Sequence, residues 1–69
     1  MLDSFIAQLE ECSADGALVL LKWDGERAGK RHTVVITRAD TDFVWRQDSD
    51  DMAASLDCAL TDYRAAHPR

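Results

Sequence analysis

Very few side chains in this 69-residue sequence could do chemistry. They are two histidines, two cysteines and a cluster of aspartates. His32 opens the β-branched run "HTVVIT". As a general base it would need a nucleophile to deprotonate and a carboxylate to orient its ring, and the spacing supplies neither. It is expected to be a packed or edge histidine beside Trp23. His67 precedes Pro68 in what reads as a frayed end. Cys12 and Cys58 fit no metal-ligand spacing and are too few for a disulfide scaffold. They read as reduced thiols, which points to a cytoplasmic protein. Cys58 falls on the polar side of a helix, opposite Leu56 and Leu60, with no neighbouring cation to make it reactive. Asp48, Asp50 and Asp51 outline a cation loop but lack the glycine and distal glutamate that a calcium site requires. Helix capping accounts for them. No catalytic centre, metal or cofactor is expected, so the protein is not read as an enzyme.

The glycine-containing stretch "DGERAGK" poses the remaining chemical question, because it carries Arg27 and Lys30, with Arg31 following. A phosphate-gripping loop needs a set glycine spacing, a trailing Lys-Ser/Thr and a helix behind it. None is present, and Asp24 and Glu26 dilute the positive charge. The stretch is expected to be an exposed hairpin tip.

The elements that must hold these residues follow from periodicity. Leu2, Phe5, Ile6, Leu9 and Cys12 recur at helical spacing over Leu2 to Cys12, with Asp3 or Ser4 as N-cap and Gly16 as terminator. "ALVLLKW" (Ala17 to Trp23), "HTVVIT" (His32 to Thr37) and "DFVWRQ" (Asp42 to Gln47) read as strands, the last two joined by a short hairpin. The final segment reads as a helix capped by Ser49, with Asp50 and Asp51 in its first turn. Its apolar face is Met52, Ala53, Leu56, Ala59, Leu60 and Tyr63. The order is therefore α-β-β-β-α: one α+β domain with a three-stranded antiparallel meander and both helices on one face.

A register can be derived by requiring opposite residues to share a face. Pairing Leu21 with Val34 and Ile36 with Phe43 puts Val19, Leu21, Trp23, His32, Val34, Ile36, Phe43 and Trp45 toward the helices. Trp45 should then be buried against Leu56. The other face reads Leu18, Leu20, Lys22, Thr33, Val35, Thr37, Asp42, Val44 and Arg46.

At this length the α-β-β-β-α order is similar to that of the double-stranded-RNA-binding domain, and "RHTVVI" looks like that family's second strand. The family opens its second helix on a Ser-Lys-Lys-x-Ala-Lys-like motif whose lysines lie on RNA phosphates. The matching residues here are Ser49, Asp50, Asp51, Met52, Ala53 and Ala54. The serine and first alanine match, every lysine is missing, and two are replaced by aspartate. The resemblance implies the layout, but aspartates in those places would repel RNA.

Bulk properties agree with a small folded unit. A hydrophobic share of 46% against 30% charged residues excludes a disordered tail. No segment approaches the length and apolarity of a membrane span, and the N-terminus lacks the basic start and apolar run of a signal peptide. A net charge of −5 disfavours plain phosphate-backbone binding. The charge is also segregated. Residues 1–21 carry four acids and no base, 22–46 six bases against four acids, and 47–69 five acids against two bases.

These observations favour a small acidic protein-binding module, acting as an inhibitor or in an immunity or anti-defence type of role. The candidate contact residues are Leu18, Leu20, Lys22, Val35, Val44 and Arg46 on the sheet face that the helices leave uncovered. Arg27, Lys30 and Arg31 at the hairpin tip, and Asp50, Asp51 and Asp57 on the acidic helical side, are further candidates. The partner would be another protein or a second copy of the chain, a two-fold homodimer being the simplest assembly. The alternative is a nucleic-acid-binding domain that uses the 24–31 hairpin.

Overall fold

The computed structural model describes the backbone of residues 2–68 and the side chains of residues 3–68. The expected place of Leu2 on the apolar side of the first helix lies outside the described side chains. The elements are α1 (Leu2–Ala14), β1 (Leu18–Trp23), β2 (His32–Arg38), a single 3-10 turn (Ala39–Thr41), β3 (Phe43–Ser49) and α2 (Met52–Ala66). The strands form one antiparallel sheet in the order β1-β2-β3. The α-β-β-β-α order read from the sequence is the order of the molecule.

Helix α1 ends as its sequence dictates. Gly16 takes φ = 103°, in the left-handed region that a side chain rarely tolerates. The Ala17 N–H then donates to the Cys12 carbonyl at 3.0 Å, and the Gly16 N–H to the Ser13 carbonyl at 3.0 Å. These two bonds form a Schellman closure, which satisfies carbonyls the helix end would otherwise leave open. The chain is thereby turned directly into β1. At the other end Asp3 and Ser4 lie inside the first turns of α1 rather than at its cap.

Both helices pack on one side of the sheet. Val34 and Ile36 on β2 are wholly inaccessible, and they join Leu9, Cys12 and Ala17 with Met52, Leu56, Ala59, Leu60 and Tyr63 of α2 in one core. Phe5, Val19, Leu21, Phe43 and Trp45 pack around its edge, half-buried. Only the central strand has neighbours on both sides, so of the sheet's inward side chains only its Val34 and Ile36 are sealed completely.

Several details differ from the sequence reading, each for a local reason. The β1–β2 register is the expected one, with Leu21 opposite Val34 and Val19 opposite Ile36. The β2–β3 register is offset by two residues: Ile36 faces Trp45, Val34 faces Gln47 and Thr37 faces Val44. Arg38 extends β2 and pairs with Phe43, so the loop begins later. Asp42 closes it in the left-handed conformation (φ 56°), donating its N–H to the Ala39 carbonyl. A slip of two preserves the strand's alternation, so every side chain within the strands stays on its expected face. Helix α2 is capped by Asp51, which accepts the Ala54 N–H at 3.1 Å, while Ser49 is the last residue of β3 and Asp50 precedes the cap. On α2 it is Ser55, not Ala53, that is buried, held by a 2.6 Å hydroxyl contact with Ser49. Trp23 and Ile6 are exposed, because β1 is an edge strand and covers them on one side only. Trp45 is half-buried and anchored at its rim by its Nε1 donating to Asp62 at 2.7 Å.

The burial pattern ranks two substitutions. Ile36→Ala empties a site with no solvent contact and should cost about 3–4 kcal/mol, close to the whole stability of roughly 3–5 kcal/mol expected of a domain this small. Trp45→Ala removes a half-exposed ring and should cost less. Urea melts of the two variants check the order, and a Trp45→Ala penalty larger than that of Ile36→Ala would contradict it.

Candidate functional site

The face of the sheet turned away from the helices is built of three cross-strand rows. Leu18, Thr37 and Val44 form the first, Leu20, Val35 and Arg46 the second, and Lys22, Thr33 and Asp48 the third. The face therefore grades from apolar at the Leu18 end to charged at the Lys22 end. The offset register produces this gradient. Val44 sits opposite Thr37 at the apolar end, where the sequence reading had placed it against Val35 at the centre. All six sheet residues singled out from the sequence, Leu18, Leu20, Lys22, Val35, Val44 and Arg46, lie on this face. Leu18 (59% exposed), Leu20 (52%) and Val44 (74%) stand out into solvent, while Val35 is half-buried among them. Asp42, also expected here, belongs to the turn.

The charged end is a closed network. Thr33 is buried although it faces away from the core. Its hydroxyl donates to Asp48 at 2.7 Å. Arg27 and Arg46 each bring a guanidinium to 3.6 Å from the same carboxylate. Lys22 lies 3.8 Å from Asp24. The hairpin tip is thus tied down, where the sequence suggested a purely solvated loop. The Arg31 Nε donates to the Arg27 carbonyl at 2.5 Å, and the Lys30 N–H donates to Asp50 at 2.6 Å. Lys30 holds φ = 52° to make that bond. The acidic candidates are divided in the same way. Asp50 and Asp51 serve the tip and the helix cap, and Asp57 stands exposed on α2.

A second polar cluster closes the opposite end of the molecule and was missed in the sequence. Arg38 reaches Asp40 through Nε at 2.9 Å and its Nη2 at 3.3 Å, and its Nη1 donates to the Tyr63 hydroxyl at 3.1 Å. His67, expected in a frayed tail, is the C-cap of α2. Its backbone N–H donates to the Tyr63 carbonyl at 2.9 Å, its Nε2 lies 2.7 Å from the Thr41 hydroxyl, and its ring packs against Phe43 and Tyr63. The alternation of Arg38 with Ile36 placed that arginine on the helix side of the sheet, and that was the available signal.

The side chains that could do chemistry lie apart from one another among the described residues. His32 sits edge-on to Trp23 with ring centroids 6.1 Å apart, and its Nδ1 has no hydrogen-bond partner among the described residues. Cys12 is buried and Cys58 exposed, and they are not joined in a disulfide. Among the described residues no three His, Cys, Asp or Glu side chains gather closely enough to hold a metal ion, and no helix is long and apolar enough to cross a membrane. A cavity of about 250 Å³ between the helices is lined by Gln8, Glu11, Leu60, Tyr63, Arg64 and His67. No family model, curated protein or solved structure matches the chain.

Two carboxylates report on the polar networks. The Thr33 hydroxyl, helped by Arg46 and Arg27, holds Asp48 below the usual aspartate range, and Arg38 does the same for Asp40. A depressed folded-state value contributes stability that is present above the unfolded aspartate value and is lost as pH falls through the folded one. Carboxyl-carbon NMR titration should give both residues midpoints below 3.8, the ordinary aspartate value. Asp48→Asn should flatten the acid side of the stability curve. A midpoint at or above the ordinary value would mean that the Asp48 network does not persist in solution.

Proposed function

We propose that the protein is a small protein-binding module whose uncovered sheet face docks on another protein, as an inhibitor or neutralising partner would. The observation that supports this most is the cluster of Leu18, Leu20 and Val44 standing in solvent around Val35, with Arg46 and Lys22 at its border. Contiguous apolar surface on a small domain is characteristic of interaction sites. A partner suited to it is apolar at its centre, with acidic or polar groups opposite Arg46 and Lys22.

The reading of a nucleic-acid-binding domain gains no support from the hairpin. Arg27 is engaged by Asp48, the tip is fastened to Asp50, and the chain carries a net charge of −5. Affinity for a phosphate backbone requires several cations free to replace counterions.

Val35→Glu tests the docking proposal, because it sets a charge at the centre of the face without touching the core. In capture from the host cytosol it should lose the proteins retained by the wild type, while Ala53→Glu on the exposed side of α2 keeps them. Retention of the same proteins by Val35→Glu would remove the face from consideration. Fluorescence anisotropy with duplex RNA and DNA at physiological salt should show negligible binding. Micromolar binding that weakens steeply with salt would restore the alternative.

A further inference from the structure

Strand β1 is built differently from the other edge of the sheet. Five of its six residues, Leu18–Val19–Leu20–Leu21–Lys22–Trp23, are apolar, yet none is buried among the described residues. Of the five large hydrophobic residues that stand exposed among the described residues, Leu18, Leu20 and Trp23 belong to β1. A fourth, Ile6, lies on α1, which packs over that strand, on the opposite flank from the Gln8, Glu11 and Asp15 side that meets α2. The edge carries one of the usual guards, the charge of Lys22 near its end, and no proline. By contrast β3, the other edge, runs Arg46–Gln47–Asp48–Ser49 through its second half.

The backbone on that edge is available for pairing. The Asp24 N–H donates inward to the Arg31 carbonyl at 2.8 Å. Antiparallel pairs alternate between bonded and non-bonded, so Leu18, Leu20 and Lys22 also bond to β2. The N–H and C=O groups of Val19, Leu21 and Trp23 therefore point outward along the free edge.

We infer that β1 pairs antiparallel with β1 of a second copy, joining two sheets into one of six strands about a two-fold axis. The match to itself is what selects this occupant. With the axis at Leu20, that residue meets its own symmetry mate, Val19 meets Leu21, and Leu18 lies beside the aliphatic stem of Lys22. The only charge on the strand, Lys22, then lies two residues from the axis on each side, so the two ammonium groups stand roughly 13 Å apart at ~3.3 Å per residue, beyond the screening length of about 8 Å at physiological salt. Antiparallel packing of α1 against its mate across the join covers Ile6. The uncovered sheet face stays open and is doubled in width, so the inference goes beyond the docking proposal and does not depend on it. Each copy carries a net charge of −5, so added salt strengthens the association.

Sedimentation equilibrium of the full chain tests this, with backbone amide exchange read on the same samples. The wild type gives twice the 7.7 kDa chain mass as concentration rises. Over the same range the Val19, Leu21 and Trp23 amides become slow to exchange. Trp23→Pro removes one outward donor at a position whose side chain is largely exposed. Leu20→Lys keeps the edge backbone but places like charges at the axis, and it serves if the proline variant does not fold. Each folded variant returns to 7.7 kDa, a twofold loss of mass, whereas Val35→Glu remains dimeric. A wild type that stays at 7.7 kDa at millimolar concentration overturns the inference. So does a dimer whose three edge amides stay fast, one that Leu20→Lys leaves intact, or one that Val35→Glu dissociates. None of these outcomes bears on protein capture by the face, which is read separately.

Discussion

Val34 and Ile36 are wholly removed from solvent at the centre of the molecule, and they sit two residues apart on the one strand that has a neighbour on each side. Their packing against Leu56, Ala59 and Leu60 of α2 is the contact on which the remaining structure depends. It sets which face of the sheet turns inward, and the alternation along β1 and β3 then assigns every other side chain. A chain of this length has two helices to spend on a three-stranded sheet, and both go to that side. Among the described residues no element lies over the second face. Leu18, Leu20 and Val44 are exposed because both helices pack on the other face, and that is the physical origin of the docking proposal.

Polar clamps stiffen the two ends of this thin structure. At one end Asp48 gathers Thr33, Arg27 and Arg46, and Asp50 holds the hairpin tip through the Lys30 N–H. At the other, Arg38 bridges Asp40 and Tyr63 while His67 closes α2 over Phe43 and Thr41. The ion pairs are exposed and individually contribute little. Their role is geometric. They fix where each loop returns to the sheet, so the uncovered face has a definite shape between two anchored ends. Arg27, Arg38 and Arg46 are occupied in these clamps, which weakens the case for a phosphate-binding surface.

The fold was legible in the sequence wherever a period or a special backbone angle spoke alone. The β1–β2 register followed from alternation on both strands, and Gly16 ended α1 as a left-handed residue should. Legibility failed where two local solutions were close. The Arg38–Asp42 turn can be closed with either of two registers two residues apart, and both preserve the faces, so hydrophobic patterning could not separate them. Ser49 and Asp51 are both good caps, and tertiary pairing of Ser49 with Ser55 decided between them. The exposure of Trp23 was hidden because a face assignment says nothing about distance from the sheet edge. His67 looked frayed because its partners, Thr41 and Phe43, are remote in sequence. Of the candidate site, the membership of the open face was readable, and its gradient from apolar to charged was not, since that gradient depends on the β2–β3 offset.

One face of the sheet is sealed by the helices and the other is open. Methyl relaxation by a soluble paramagnetic agent, measured on the full chain, addresses it directly. Strong enhancement is predicted at the methyls of Leu18, Leu20 and Val44, with almost none at Val34 and Ile36, although the two sets alternate along paired strands. Comparable enhancement at both sets, or protection of Leu18, Leu20 and Val44 in the dilute protein, would contradict it.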